Sequence, residues 1–287
     1  MEKRVLGKTN EQLSILGFGG ILVMDETPES ADRLVAEAID RDINYFDVAP
    51  TYGNAIDRLG PALASYRKNV FLACKTLKRK KLEAEQSLTD SLKRLHTDYI
   101  DLFQIHGIAG LDETREALGP GGAIEAFVEA KQKGLIKYLG FSAHDTESAV
   151  YAIDHFEFDT VLFPVNFVMY HSGNFGPKIR DAAVAKNMGL LALKSMAKTH
   201  WPEDMKKLHP YSKCWYDPLT NPELIRLALR FTLSEPVTAL LTPGEETLYR
   251  IALDFLEQGF TPLSMGERAN LQKIAESFSP LFSYDKQ

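Results

Sequence analysis

Four side chains whose chemistry suits proton delivery during a hydride transfer lie at or just beyond the C-terminal ends of three strand-like runs. The runs cover residues 43–47, 69–75 and 99–106, and the side chains belong to Asp47, Tyr52, Lys75 and His106. Helix-like segments separate the runs, which is typical of parallel strands in a (β/α) barrel. The carboxyl ends of such strands open onto one face, so the four side chains are expected to share one pocket.

The residue types in this group suit general acid catalysis. Lys75 follows the apolar run 70–74 and needs a counter-charge, which Asp47 on the preceding strand can provide. A cation beside a phenol favours the phenolate, because two unit charges about 4 Å apart interact by roughly 4 kcal/mol at an effective dielectric of about 20. The pattern therefore predicts that Lys75 lowers the pKa of Tyr52 toward neutrality. Tyr52 would then protonate a developing alkoxide, His106 would orient the substrate carbonyl, and a cofactor would supply the hydride.

Eight strand-like runs alternate with amphipathic segments of helical periodicity. The runs lie near residues 15–19, 43–48, 69–75, 99–106, 136–141, 160–164, 189–194 and 237–242. Apolar strands that alternate with helices indicate a parallel sheet, and eight such units predict its closure into a barrel. The predicted fold class is therefore α/β, a (β/α)8 TIM barrel that forms one domain over residues 1–287.

The chain adds an element at each end of this repeating pattern. Residues 4–6 and 13–16 flank the turn-like segment 7–10, which predicts an N-terminal β-hairpin. Segment 266–278 predicts an extra C-terminal helix. A doubly wound open sheet is the alternative, but the glycines of residues 17–20 are not followed by the helix that a dinucleotide-binding fingerprint requires.

Two connections exceed the usual length, namely residues 107–122 and 195–221. They follow the fourth and seventh strands, so both are expected to overhang the C-terminal face of the barrel. The second is rich in aromatic residues, which favours a substrate wall or a cofactor cover. The candidates for walls of an apolar substrate pocket are Ile21, Met24, Tyr170, Trp201, Trp215 and Tyr216.

Composition excludes several classes of partner. The formal net charge of −6 leaves no basic surplus for nucleic acid. The polar start and the lack of a long apolar run predict a cytoplasmic protein with no membrane partner. Cys74 and Cys214 lie far apart in the sequence, which predicts neither a disulfide framework nor a metal-ligand cluster.

Three stretches resemble the signature blocks of the aldo-keto reductase superfamily. They are NYFDVAPTYG at 44–53, SLKRLHTDYIDLFQIH at 91–106 and GLIKYLGFS at 134–142. The resemblance runs from the hairpin to the helix after the eighth strand, and it implies a monomeric barrel that binds NADP(H) without a Rossmann motif. By this resemblance the proton donor is Tyr52, the residues that tune it are Lys75 and Asp47, and the residue beside the substrate carbonyl is His106.

The resemblance also implies a set of cofactor-binding residues. At the nicotinamide end these are Gly20, Asp47, Ser142, Asn166 and Leu193, with Lys194 at the pyrophosphate; at the adenosine end they are Gly244, Thr247, Arg250 and Asp254. Ser142 stands where the family's carboxamide-binding serine lies, while Ala143 replaces the usual asparagine beside it. Asn166 and Leu193 stand where glutamine and a stacked tyrosine are common.

The adenosine end carries conflicting signals about the cofactor. Arg250 aligns with the family's phosphate-binding arginine, and Asp254 replaces an adenine-contacting asparagine. Glu245 and Glu246 are acidic where a basic or small polar residue is usual, and like charges repel a phosphate. NADP(H) is favoured because Arg250 can make a bidentate contact, and NAD(H) stays open as the alternative.

The leading functional prediction is an NAD(P)H-dependent reductase of a small aldehyde or ketone, with the proton from Tyr52. The alternative is a regulatory or scaffold protein on the same fold that binds the cofactor but turns over little. A metal-dependent barrel hydrolase or isomerase would need a cluster of ligands at the strand ends, for which only Asp47, His106 and His144 are available.

Overall fold

A computed structural model describes residues 1–284, so the last three residues of the predicted 1–287 domain lie outside the described residues. Residues 1–284 form twelve strands, which in chain order are β1 (Lys3–Val5), β2 (Gln12–Ser14), β3 (Leu16–Gly19), β4 (Tyr45–Asp47), β5 (Phe71–Thr76), β6 (Ile100–Ile108), β7 (Ile136–Ala143), β8 (Thr160–Pro164), β9 (Gly189–Leu193), β10 (Ala197–His200), β11 (Tyr216–Pro218) and β12 (Ala239–Leu241). β3 to β9 and β12 pair in parallel, and β12 joins β3 to close the barrel. The predicted (β/α)8 barrel is therefore confirmed, and the open doubly wound sheet is excluded.

Helices surround the barrel and connect its strands. Within residues 1–284 they are α1 (Pro28–Asp40), α2 (Ala55–Leu63), α3 (Lys81–Arg94), α4 (Leu111–Leu118), α5 (Ala123–Gln132), α6 (Thr146–His155), α7 (Phe167–Gly173), α8 (Pro177–Ala185), α9 (Pro222–Leu233), α10 (Glu246–Glu257) and α11 (Met265–Ala275). α11 is the predicted extra C-terminal helix. None of these helices is long and apolar enough to cross a bilayer.

The barrel strands bury both faces, and the two faces have separate packing partners. The residues that fill the interior of the barrel include Tyr45, Phe71, Ala73, Leu102, Leu162, Leu191 and Leu241. The intervening residues, such as Phe46 and Leu72, pack outward against the helices. Because side chains alternate along a strand, the next inward positions above this interior layer carry Asp47, Lys75 and Gln104. The alternation therefore aims these polar side chains into the mouth of the barrel.

The N-terminal hairpin closes the opposite end of the barrel. β1 pairs antiparallel with β2, as predicted, and Leu6 and Leu13 are fully buried in the interior cluster. Gly7 has a φ of 50°, and a Cβ on it would lie 2.3 Å from the backbone nitrogen of Gly189. The hairpin thus packs against the start of β9 and leaves the carboxyl end of the barrel as its open face.

Four of these helices and strands were not predicted from the sequence, namely α4, α7, β10 and β11. α4 lies inside the long connection 107–122. It is short and has a glycine at each end, a pattern that is typical of a loop. α7 is a seven-residue helix whose N-terminus is capped by Asn166. β10 and β11 pair across a long intervening segment, a non-local contact that local periodicity does not report.

Candidate active site

A buried ion pair lies at the centre of the barrel mouth. Lys75 Nζ contacts Asp47 Oδ1, and the two side chains are 1% and 2% exposed. Gln104, which is level with Lys75 on the neighbouring strand, donates to Asp47 Oδ2 at 3.3 Å. Burial lowers the pKa of Lys75, but the Asp47 carboxylate outweighs this, so the pKa of Lys75 lies above its ordinary value. Lys75 is therefore a fixed cation at neutral pH.

Tyr52 lies in the turn between β4 and α2. Its amide donates to the Ala49 carbonyl at 3.0 Å, and its own carbonyl accepts from the Ala55 amide at 2.9 Å, so both flanks of the turn are fixed. Lys75 Nζ lies 5.5 Å from the centroid of the Tyr52 ring. Tyr52 and Lys75, which the sequence predicts to be neighbours, thus lie close together.

The predicted lowering of the Tyr52 pKa is wrong. Burial raises the pKa of Tyr52 and Asp47 raises it further, and together they outweigh the lowering by Lys75. The sequence shows the charge of Lys75, but it does not show that burial and the Asp47 carboxylate oppose that charge. Tyr52 is therefore a protonated phenol at neutral pH.

His106 lies near the end of β6 and faces Tyr52. The centroids of the two rings are 6.2 Å apart, and the ring planes are nearly perpendicular at 88°. Burial, with a further contribution from Lys75, lowers the pKa of His106 to about 3. His106 is thus a neutral imidazole, and its Nδ1 has no hydrogen-bond partner among the described residues. A neutral imidazole can donate one hydrogen bond to a carbonyl oxygen without adding charge to the site.

A cavity of about 170 Å³ opens over this group. Asp47, Lys75 and Tyr52 line one part of it, and Trp215 and Tyr216, at the start of β11, line another. The other lining residues are Gly19, Ile21, Leu162, Leu193, Lys194, Lys213, Leu241, Thr242, Pro243 and Gly244. The cavity therefore joins the candidate proton donor to the loops that follow β9 and β12.

Lys194 lies at the rim of this cavity immediately after β9. Its Nζ is 4.9 Å from the ring centroid of Trp215 and 5.6 Å from that of Tyr216. Burial, with a further contribution from Lys75, lowers the pKa of Lys194 to about 8. Lys194 is accordingly charged below this pH and loses its charge above it.

This titration predicts a pH dependence of dinucleotide binding. If Lys194 contacts the diphosphate, affinity falls as the pH rises through about 8, because the neutral amine no longer attracts an anion. The variant Lys194→Arg stays charged and is expected to remove this loss while binding normally at pH 7. Calorimetric titration at a series of pH values measures the effect; an unchanged profile in the variant would remove Lys194 from the diphosphate site.

Not all of the residues expected at the nicotinamide end line the cavity. Leu193 lines the cavity, whereas Gly20 is buried against Val48 and its neighbour Gly19 lines the cavity instead. Ser142 is buried at the end of β7, where its Oγ accepts from the Gly107 amide at 2.8 Å.

Asn166 is engaged entirely within the protein. Its Nδ2 donates to the carbonyls of Lys194 and Ala197 at 3.0 and 2.8 Å, and its Oδ1 accepts from the Val168 amide at 2.8 Å. The side chain caps α7 and ties it to the segment after β9. We therefore leave Asn166 out of the proposed cofactor site.

The residues expected at the adenosine end cluster at the start of α10. Gly244 lines the cavity, and Thr247 is exposed in the first turn of the helix. Arg250 forms ion pairs with Glu37 and Glu246, and Asp254 pairs with Arg41 at 2.7 Å. The Arg250 guanidinium, which the resemblance assigns to a phosphate, thus already forms ion pairs with the carboxylates of Glu37 and Glu246.

Three of the six predicted wall residues do not line the cavity, and one of them, Met24, packs against the outer core instead. Trp201 is buried within its own loop, where it stacks on His209 and donates to the Cys214 carbonyl at 2.9 Å. Tyr170 is buried in α7 against Phe231. The aromatic content of the sequence correctly indicated an aromatic wall at the cavity, formed by Trp215 and Tyr216. It could not distinguish these residues from aromatic residues that are buried in the protein core or within the loop.

Two residues of the site, Gln104 and Lys213, were not predicted from the sequence. Gln104 lies two positions before His106, so strand periodicity could have placed it on the same face. Lys213 donates to the Leu22 carbonyl at 2.8 Å and to Glu26 at 2.9 Å, and so ties the loop after β9 to the segment after β3. Its position in a long irregular loop left no pattern from which to find it.

Among residues 1–284, no three His, Cys, Asp or Glu side chains are grouped so that they could hold a metal ion. The donor set present suits a different ligand. Lys194 supplies a cation at the rim, whereas Lys213 is paired with Glu26, and Gly244 packs so closely that a Cβ on it would lie 2.6 Å from a methyl group of Ile21. A cavity edged by a lysine and a glycine, beside the partly buried Tyr52, fits a dinucleotide with a diphosphate.

Comparison with known proteins agrees with this fold. The model of the Aldo/keto reductase family matches residues 16–284. The chain therefore belongs to the aldo/keto reductase family.

Individual relatives are more distant. YqkF, an uncharacterized oxidoreductase of Bacillus subtilis, is 35% identical over 157 residues, which cover 50% of this chain and 49% of that protein. The L-galactose dehydrogenase of Arabidopsis thaliana is 28% identical over 187 residues, 59% of this chain and 57% of that one. The matches thus span about half the length of these curated relatives.

A solved structure covers more of the chain. An aldo-keto reductase of Bacillus halodurans in its holo form superposes with a TM-score of 0.75 at 25% identity, over 100% of this chain and 99% of that chain. The alignment thus spans the full length of this chain.

Proposed function

We propose that the protein reduces the carbonyl group of a small aldehyde or ketone with a reduced nicotinamide dinucleotide. The observation that carries the proposal is that a protonated Tyr52 and the Lys75–Asp47 ion pair line one cavity, and that the ring of a neutral His106 faces Tyr52. Family membership supports a nicotinamide-dependent oxidoreductase. A bound reduced nicotinamide supplies the hydride.

Tyr52 acts as the general acid. A donor must hold its proton until the carbonyl oxygen becomes basic, and the raised pKa of Tyr52 keeps it protonated at neutral pH. When the proton leaves, the phenolate remains beside the Lys75 cation. Lys75 therefore stabilises the charge that forms in the transition state, where its effect on rate is largest.

Two neighbours keep this arrangement in place. The Asp47 carboxylate holds the Lys75 ammonium in position, and Gln104 holds the second oxygen of that carboxylate.

His106 donates a hydrogen bond to the carbonyl oxygen and so directs it toward Tyr52. Leu193 and Trp215 provide apolar surface at the same cavity.

The neutral state of His106 leads to a prediction about pH and mutation. Because its pKa is about 3, the pH profile of kcat/KM should show no inflection from imidazole ionisation between about 5 and 7. His106→Ala should lower kcat/KM by about 10²–10³, the usual effect of removing one donor to a developing oxyanion. His106→Gln, which keeps an N–H donor, should recover part of this loss. Initial rates with a small aldehyde measure both effects, and an imidazole inflection near 6.5 would contradict the assignment.

A second candidate function is a regulatory or scaffold protein that binds the dinucleotide but turns over little. Ala143 offers no polar side chain, and the Asn166 amide is engaged with backbone groups, so fewer side chains are left to hold a nicotinamide carboxamide. Turnover with small carbonyl compounds separates the two candidates, because only the reductase oxidises the bound cofactor.

A further inference from the structure

The charged side chains around the start of α10 bear on which dinucleotide binds, an inference that rests on the proposed function. Gly244 lines the cavity, and α10 begins two residues later at Glu246. The family resemblance places the adenosine end of the cofactor at this segment, where NADPH carries a 2′-phosphate and NADH a 2′-hydroxyl. The charges here therefore control whether a phosphate dianion is accepted.

Arg250 is held by two carboxylates. Its Nη2 lies 2.6 Å from Glu37 Oε2 and 2.9 Å from Glu246 Oε1, and its Nη1 also contacts Glu37. Its Nε donates to Glu246 at 3.0 Å. The contact with Glu37 is bidentate, which is the geometry that a guanidinium would use toward a phosphate. Glu37 on α1 thus occupies the face of Arg250 that a 2′-phosphate requires.

The surrounding ion-pair network contains more carboxylates than cations. Arg33 donates to both oxygens of Glu246 at 3.1 Å, and this contact holds the pKa of Glu246 below its ordinary value. Arg41 pairs with Asp254 and Glu257. The network comprises Arg33, Arg41, Arg250, Glu37, Glu246, Asp254 and Glu257. Three cations against four carboxylates leave a net charge of −1.

We infer that the protein selects NADH over NADPH, because Glu37 and Glu246 occupy the guanidinium of Arg250. A 2′-phosphate would have to displace a carboxylate and then lie beside it, and like charges in contact oppose binding. The 2′-hydroxyl of NADH is uncharged and can donate to a carboxylate, as in other dinucleotide sites that carry an acidic residue. The preference is the opposite of that predicted from Arg250 alone.

Parallel titrations of NADH and NADPH into the purified protein, followed by tryptophan fluorescence and calorimetry, test this preference. The wild type is expected to bind NADH at least about tenfold more tightly than NADPH. The double variant Glu37→Gln/Glu246→Gln keeps the size of both side chains and frees Arg250. It is expected to tighten NADPH binding by about tenfold or more and to change NADH binding far less.

Glu257→Gln is the matched control. It removes one carboxylate from the same network at Arg41 and leaves the contacts of Arg250 intact, so the ratio of the two affinities should not change. Tighter binding of NADPH by the wild type, or an unchanged ratio in the double variant, would overturn the inference while the proposed reduction still stood. Binding of neither dinucleotide would overturn the proposed function and the inference with it.

Discussion

Replacement of Tyr52 by phenylalanine is expected to lower kcat about 10²–10⁴-fold, while cofactor affinity stays near that of the wild type. The variant removes one hydroxyl from the cavity and retains the ring that packs beside Lys75. Loss of the proton donor leaves the alkoxide without an acid, because Lys75 is committed to Asp47. Steady-state rates and a parallel cofactor titration measure the two quantities separately.

The matched control for this variant is Tyr170→Phe. Tyr170 is a buried phenol that packs in α7 against Phe231 and does not line the cavity, and its hydroxyl has no hydrogen-bond partner among the described residues. Removal of that hydroxyl should leave kcat nearly unchanged. If Tyr52→Phe retained wild-type turnover, or if both variants lost activity equally, Tyr52 could not be the proton donor.

The second large effect concerns stability. Lys75→Met is expected to lower the free energy of unfolding by about 3–5 kcal/mol, because it leaves the Asp47 carboxylate buried without its counter-ion. The magnitude applies here because both side chains are at most 2% exposed. Gln104 supplies only one neutral hydrogen bond to Asp47, at 3.3 Å, which does not offset the loss of a cation. Chemical denaturation at pH 7 measures the change.

The double variant Lys75→Met/Asp47→Leu separates charge from packing. It removes both charges and fills the space with apolar side chains, so most of the stability lost in the single variant should return. Activity should not return, because the phenolate of Tyr52 would have no cation beside it. A single variant that lost less than about 1 kcal/mol would show that Asp47 gains water or another partner when Lys75 is absent.

The positions of the catalytic candidates were accessible from the sequence because they depend on local patterns. Each of Asp47, Lys75 and His106 ends an apolar run, and the parallel barrel brings such ends to one face. Strand alternation then explains why these side chains point into the mouth of the barrel. The convergence therefore needed no knowledge of long-range contacts.

The electrostatic predictions were less successful because they depend on residues distant in sequence and on burial. The charge of Lys75 was visible from the pattern, but the desolvation of Tyr52 was not, and its pKa moves in the opposite direction from that predicted. Arg250 was predicted to bind a phosphate, and its ion pair with Glu37, 213 residues earlier in the chain, could not be seen from the sequence. Asn166 was predicted to bind the cofactor, and its role as the cap of α7 could not be seen either. Both assignments stay predictions.

The most direct test of the proposed function is a single-turnover experiment. Excess protein is loaded with NADH or NADPH and mixed with a panel of small aldehydes and ketones that includes 4-nitrobenzaldehyde, and the loss of reduced nicotinamide absorbance is followed beside the formation of alcohol. We expect one alcohol for each bound cofactor oxidised, in the wild type but not in Tyr52→Phe. If the dinucleotide binds but is not oxidised by any of these compounds, the reductase assignment is contradicted and the regulatory or scaffold role takes its place.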